Sequence, residues 1–527
     1  MTALRRRYLL HQDRHLHYRV GGDGPPTVVL PDAPGSSATC GGLLERLAAR
    51  LRVYALDAPG HGLSDPVTQP ALQSHVDATV AAVDTLGLAR FHLVGIGAGA
   101  FVAEAVAAVL PERVSALILQ HRDGRETAHE PGGLAEVFPA FVPTDDGGHL
   151  VAAWHMVRRT YLYDPWFATT AAARRIGDVP AAAVLHQQVM EVLRPTGDYA
   201  GLARAAAVAG MPRVDDGEEL AARVFDAART QPIPAADPPP PQPASVPGAL
   251  RRSYVRTPHG QLHLRSSGRG GTPLLVIHAS PGSAAPLEPL IAEFGRHRHV
   301  IAPDTLGNGD SDRPARDDTD IGFYADVLTA ALDALDLPTV DVWGSHTGAL
   351  IGLELAIRRP DRVRALGMDG ITLFDPDEVR DLVAHYLPPL EPDDYGTHLL
   401  RAWHMRTDMS LFWPWYRRTA QAANRVALPA AEQLHTWVVD LLVSGPSWRT
   451  AYRAAFTYPT RERLPLLTRP ALLAAGPHDP LAVYTDQAAT LSAHLETATS
   501  AGTRDSDALR QTVALYEGFF SRRADRR

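Results

Sequence analysis

The chain has 527 residues, 45% of them hydrophobic, and a formal net charge of -8; this predicts two or three domains with sizeable cores and no basic field for nucleic acid. All 51 basic residues are arginine, which excludes chemistry that needs a lysine amine, whether a Schiff base or a P-loop. The single Cys40 can form neither an internal disulfide nor a cysteine zinc cluster, a usage that suits the cytoplasm.

The opening stretch, Met1 to Val20, is rich in arginine and histidine and has no signal-peptide core. Nowhere do about 18 apolar residues stand together, so no membrane span is expected. From Leu4-Arg5-Arg6-Arg7-Tyr8 onward, runs such as VVL, RVYAL and FHLVG alternate with alanine-rich helical stretches such as ALQSHVDATVAAVDTLGL. That alternation predicts the α/β class, a parallel sheet covered by helices.

Past Val208 an acidic helix is expected, followed by QPIPAADPPPPQPASVP from Gln231 to Pro247, a proline-dense spacer. The chain then repeats itself. LRRSY (Leu250 to Tyr254) answers LRRRY, VIHASPGS ending at Ser283 answers VVLPDAPGS ending at Ser36, and Asp304 in PDTLGNGDSD answers Asp57 in LDAPGHGLSD. Trp403-His404-Met405 follows Trp154-His155-Met156 by 249 residues, and Pro165-Trp166 with Pro414-Trp415, and His186 with His435, keep that offset. Only the second copy continues into RPALLAAGPHDP and a terminal helix. The expected organisation is a truncated unit at 1–230, a linker at 231–248, and a complete unit at 249–527 with a helical cap at about 375–458.

Strand, G-x-S-x-G, helix describes a tight turn that pushes its central side chain out over a sheet. In VDVWGSHTGALIGLELA that turn is Gly344-Ser345-His346-Thr347-Gly348, centred on His346; in FHLVGIGAGAFVAEAVA it is Gly95-Ile96-Gly97-Ala98-Gly99, centred on Gly97. The first turn also fits G-x-G-x-x-A, yet the following strand VSALILQ ends on Gln120 rather than a ribose-binding acid, so no dinucleotide cofactor is expected.

On the HASPGS turn, the D-x-x-G-x-G-x-S-D loop, the elbow and the helix after it, the chain resembles the α/β-hydrolase superfamily, twice over. The resemblance implies two α/β-hydrolase-like units and a triad of serine, acid and histidine with backbone oxyanion donors. Asp479 in GPHDP stands where many members keep their acid, and the amides of Ser280 and Thr347 stand where the oxyanion donors would be. The nucleophile position holds His346. Where a Gly-His is usual the chain reads Ser500-Ala501-Gly502-Thr503-Arg504.

A histidine on the elbow can act as general acid or base, oriented by Asp479 or by Asp369 at the end of the strand MDG. Ser345, one residue before the projecting position, is expected to turn away. The cap contributes HLLRAWHMRTDMSLFWPWYRR, in which Trp403, His404 and Trp415 are candidate walls for a small-molecule pocket. The histidines His155, His186, His404 and His435 lack a nearby carboxylate or thiolate pattern, so no metal is expected.

Three functions remain open. One is hydrolysis of an ester, lactone or dicarbonyl by His346 without a covalent serine; another is lyase, isomerase or cyclase chemistry on the same fold; the third is ligand binding without catalysis. The partner is expected to be a small molecule, with no nucleic acid and no membrane. The first unit is expected to pair with the second inside the chain, with oligomers possible.

Overall fold

The computed structural model describes residues 4–121, 137–195, 197–206, 217–235, 249–476, 479–503 and 505–524. Most of the proline-dense spacer (236–248), Val208 and Arg504 lie outside them. The chain divides into two units, 1–243 with 392–400, and 244–391 with 401–527.

The first unit's strands are β1 (Arg5–His11), β2 (Arg14–Gly21), β3 (Pro26–Leu30), β4 (Arg52–Leu56), β5 (Phe91–Ile96) and β6 (Val114–Gln120). They form one sheet in the order β1-β2-β4-β3-β5-β6. The contacts of β2 with β1 and β4 are antiparallel and the rest parallel.

The second unit's strands are β7 (Arg251–Thr257), β8 (Gly260–Ser267), β9 (Leu274–Ile277), β10 (Val300–Pro303), β11 (Val340–Ser345), β12 (Val363–Asp369), β13 (Ala471–Ala475) and β14 (Leu495–Thr499). Their order is β14-β13-β12-β11-β9-β10-β8-β7, so among the described residues the first sheet ends two strands earlier.

Burial explains the strand composition. A parallel strand covered on both faces reads as a continuous apolar run, and β9 (LLVI) and β13 (ALLAA) are buried throughout. Within β9 the side chains alternate. Leu274 and Val276 join a core with Phe294, Tyr516 and Phe519 on one face, whereas Leu275 and Ile277 join Leu328, Leu350 and Leu353 on the other.

In the first unit the helix Glu218–Thr230 lays Leu220, Ala221 and Val224 against Val94 and Ile118. Its Arg223 guanidinium donates to the Leu119 carbonyl of edge strand β6 at 2.8 Å. This unit therefore covers its shortened sheet without the last two strands.

The stretch between β12 and β13 carries helices Pro376–His385, Thr397–Leu411, Ala431–Ser444 and Ser447–Phe456. The first is started by a capping box of Asp375 and Glu378, with Pro376 in its first turn. The repeat extends to fine detail: the isolated antiparallel bridge Tyr163–Arg174 recurs as Phe412–Ala423, again 249 residues on. Among the described residues no helix is long and apolar enough to cross a membrane.

Candidate active site

Strand β11 delivers the elbow, and a buried ion network anchors the strand's start. Asp341 is fully buried, accepting from Arg298 at 2.5 Å and from Arg364 Nε at 2.8 Å. The helix Thr347–Arg358 then departs from the elbow so close to β9 that a Cβ on Gly348 would lie 2.1 Å from the Ile277 carbonyl oxygen. Only glycine fits there.

His346 sits between them at φ 49°, ψ -110°, a left-handed backbone that is strained for any residue with a side chain and typical of functional positions. Its N–H donates to the Asp369 carbonyl at 3.0 Å, which ties the elbow to the end of β12. Ser345 is the last residue of β11, paired in register with Asp369.

The His346 side chain is 43% exposed, and its Nε2 lies 2.8 Å from Asp479 Oδ2. Asp479 follows β13 and caps the short helix Pro480–Tyr484, its Oδ1 accepting the Leu481 N–H at 2.8 Å. One carboxylate oxygen thus fixes the loop and the other fixes the imidazole. With Nε2 engaged, Nδ1 is the ring nitrogen left to serve a ligand.

The electrostatics follow from this geometry. Partial burial lowers the His346 pKa, but the Asp479 hydrogen bond and the charges of Asp479 and Asp369 outweigh it and leave the pKa above the ordinary histidine value. Burial alone would raise the Asp479 pKa; the hydrogen bond and charge of His346 bring it below the usual range. Asp369 is pushed up to about 7, by burial first, with His346 lowering it and Asp479 raising it. Asp479 therefore stays ionised beside the imidazole, while Asp369 and His346 both hold their protons more tightly than free side chains do, an arrangement suited to proton transfer.

Ser280 and Thr347, the two expected amide donors, are both buried. His278, which opens the HASPGS turn, is a spacer and not a base. Its Nδ1 donates to the Ala279 carbonyl at 2.7 Å and its Nε2 accepts the Thr305 N–H at 2.9 Å, and burial holds its pKa low. After β14, the turn where a histidine is usual is closed by hydroxyls. Ser500 Oγ accepts the Gly502 N–H at 2.9 Å, and Thr512 donates to the Gly502 carbonyl at 2.8 Å.

The cap residues separate by helical phase. Trp403 is fully buried, whereas His404, the next residue, is exposed. Trp415 is buried, with its indole N–H on the Tyr386 carbonyl at 3.2 Å. Beside it lies an aromatic cluster that sequence reasoning missed: Tyr386 meets Trp413, Tyr452 and Phe456, and Phe374 meets Trp413, Phe456 and Tyr484. Phe374 follows Asp369 and Tyr484 follows Asp479, so the aromatic wall begins within a few residues of both carboxyls.

A second missed group is Asp440, whose carboxylate accepts from Ser283 Oγ at 2.7 Å and is pushed up to about 6, chiefly by burial. The first unit repeats the contact, Ser36 to Glu191 at 3.1 Å, with the acid 249 residues earlier and the serine 247. An acid at the same offset in both copies was the available signal.

Among the described residues, one group could approach a metal: His263, Asp304 and Asp310. Arg265 already donates to Asp304 at 3.1 Å, and Asp304 also accepts the Ala284 and Asp310 amides at 2.7 and 3.0 Å. The first unit matches this with His17 on Asp57 at 2.8 Å and the Ser37 amide on Asp57 at 2.8 Å. The cluster is a staple of the turn, with its negative charge already compensated.

A family model described as alpha/beta hydrolase fold matches residues 25–152 and 272–508. The 2-hydroxymuconate semialdehyde hydrolase of Pseudomonas sp. (strain CF600) is 40% identical over 132 residues, 24% of this chain and 46% of that protein. The haloalkane dehalogenase of Mesorhizobium japonicum is 36% identical over 142 residues, 26% of this chain and 43% of that protein. The chain thus spans somewhat under half the length of these curated relatives. Among solved structures, the enol-lactonase from Burkholderia xenovorans LB400 aligns with a TM-score of 0.40 at 19% identity, covering 50% of this chain and 99% of that one.

Proposed function

The chain belongs to the α/β-hydrolase fold family, and from that premise we propose that its second unit acts on a small, partly apolar carbonyl compound by acid–base chemistry at His346, without a serine nucleophile. The observation that carries this reading is the 2.8 Å contact between His346 on the elbow and Asp479. In this reading Asp479 holds the ring so that Nδ1 takes a proton from water or from the carbon beside a carbonyl, and later returns one. The amides of Ser280 and Thr347 receive the developing oxyanion. Trp403 and Trp415 hold the cap over the site, and the aromatic cluster around Tyr386 supplies the apolar wall.

Esters, lactones and dicarbonyls are the substrate class, and the reaction calls on no cofactor. The names of the curated relatives, a semialdehyde hydrolase and a dehalogenase, support a small-molecule substrate. The single Cys40 favours a cytoplasmic setting. The second reading is lyase or isomerase chemistry on the same fold, in which the imidazole held by Asp479 moves a proton on the substrate itself rather than on water.

The test is turnover of a panel of esters, lactones and β-dicarbonyls by the intact chain beside His346→Ala, read by mass spectrometry of the products. Turnover by the native chain that drops about 100-fold or more in the variant is expected. Equal turnover by both would overturn the reading, and binding without turnover in the native chain would make the protein a non-catalytic ligand binder.

A further inference from the structure

The first unit keeps the pair of amides that corresponds to Ser280 and Thr347, and the pair is occupied. Ala33 N–H and Ala98 N–H, one from the turn after β3 and one from the first turn of the helix Ala98–Val109, both donate to Asp32 Oδ1, at 2.8 and 2.7 Å. Ala33 aligns with Ser280 in the repeated turn and Ala98 with Thr347 after the elbow. Two backbone donors from separate elements converging on one anionic oxygen make an anion site. Here the anion is the chain's own side chain.

The neighbouring elbow residue fits this occupant. Gly97 has φ 54° and ψ -118°, close to the backbone of His346. A Cβ at Gly97, however, would stand 2.0 Å from Asp32 Cγ and 2.1 and 2.2 Å from its two oxygens. A carboxylate in the amide pair and a side chain on the elbow therefore exclude each other. The two copies carry the two compatible combinations, Asp32 with Gly97 and Ala279 with His346.

We propose that Asp32 is a built-in ligand of the first unit's anion site. The Asp32 carboxylate fills the oxyanion site of the first unit, and the site emptied of it is a receptor for small monocarboxylates such as formate and acetate. Removing the Asp32 carboxylate leaves two convergent N–H donors and a space lined by Gly97, which a free carboxylate of that size can enter.

The test is amide hydrogen exchange by mass spectrometry on the full chain, following the peptides that contain Ala33 and Ala98. In Asp32→Ala, which copies the second unit's residue, both amides are expected to exchange at least tenfold faster than in the native chain. Formate or acetate, at ionic strength matched with chloride, is expected to restore protection at both peptides and at no others. Exchange unchanged from native, or fast exchange that formate and acetate leave unaltered, overturns the proposal. Should Asp32→Ala fail to fold, Asp32→Asn keeps the shape and loses the charge. Faster exchange at both amides supports a charged ligand, and native exchange there overturns it.

Discussion

Asp479 divides its two oxygens, Oδ1 accepting the Leu481 amide at 2.8 Å and Oδ2 meeting His346 Nε2 at 2.8 Å. The imidazole is thereby fixed by a carboxylate that cannot rotate without giving up its own loop contact. In the proposed reading the acid orients the histidine that stands on the elbow. Asp479→Asn should retain the loop hydrogen bond, lose the charge and allow the wrong imidazole tautomer. Turnover is expected to fall by about 100-fold or more with an unchanged circular dichroism spectrum.

Asp369 lies near enough to His346 for its charge to favour the imidazolium, and burial pushes its own pKa up to about 7. Asp369→Asn removes that charge. The ionisation of His346 in the pH dependence of kcat/KM is expected above the ordinary histidine value in the native chain and lower in the variant than in the native chain. An unmoved profile would separate Asp369 from the proton relay.

Asp440 has a pKa raised to about 6 by burial, above the ordinary aspartate value in an unfolded chain. The folded state therefore holds the proton more tightly between roughly pH 4 and 6, and stability falls as pH rises through that window. Asp440→Asn can still accept from Ser283 and carries no charge. It is expected to stabilise the chain at pH 8 by on the order of 1–2 kcal/mol and to have little effect at pH 4, as read by thermal melts at the two pH values.

Asp341, fully buried, faces Arg298 and Arg364 at the start of the strand that carries the elbow. Asp341→Ala leaves both guanidiniums buried without their shared acid. A loss of about 3–5 kcal/mol is expected in urea unfolding.

Much of the site was readable in order along the chain, because elbow, oxyanion turn and GPHDP loop are short motifs whose spacing is local. The repeat exposed Gly97 and His346 as the odd residues of their turns for the same reason. What could not be read were pairings set by the folded chain: Asp32 with Ala98, 66 positions apart; Ser283 with Asp440, 157 apart; and Arg298 with Asp341. Each needs the three-dimensional register of strands and cap. The opposite burial of Trp403 and His404 was within reach, since adjacent helical residues point about 100° apart and seldom share one wall.

In the proposed mechanism, chemistry at the elbow runs through His346 and forms no covalent link to a serine. Intact-protein mass spectrometry during turnover of the best substrate in the panel, repeated after exposure to a fluorophosphonate, tests it most directly. Product formation with the protein at its unmodified mass throughout, and no fluorophosphonate adduct, is the expected result. An acyl or phosphonyl adduct mapping to the peptide that holds Ser345 would contradict it.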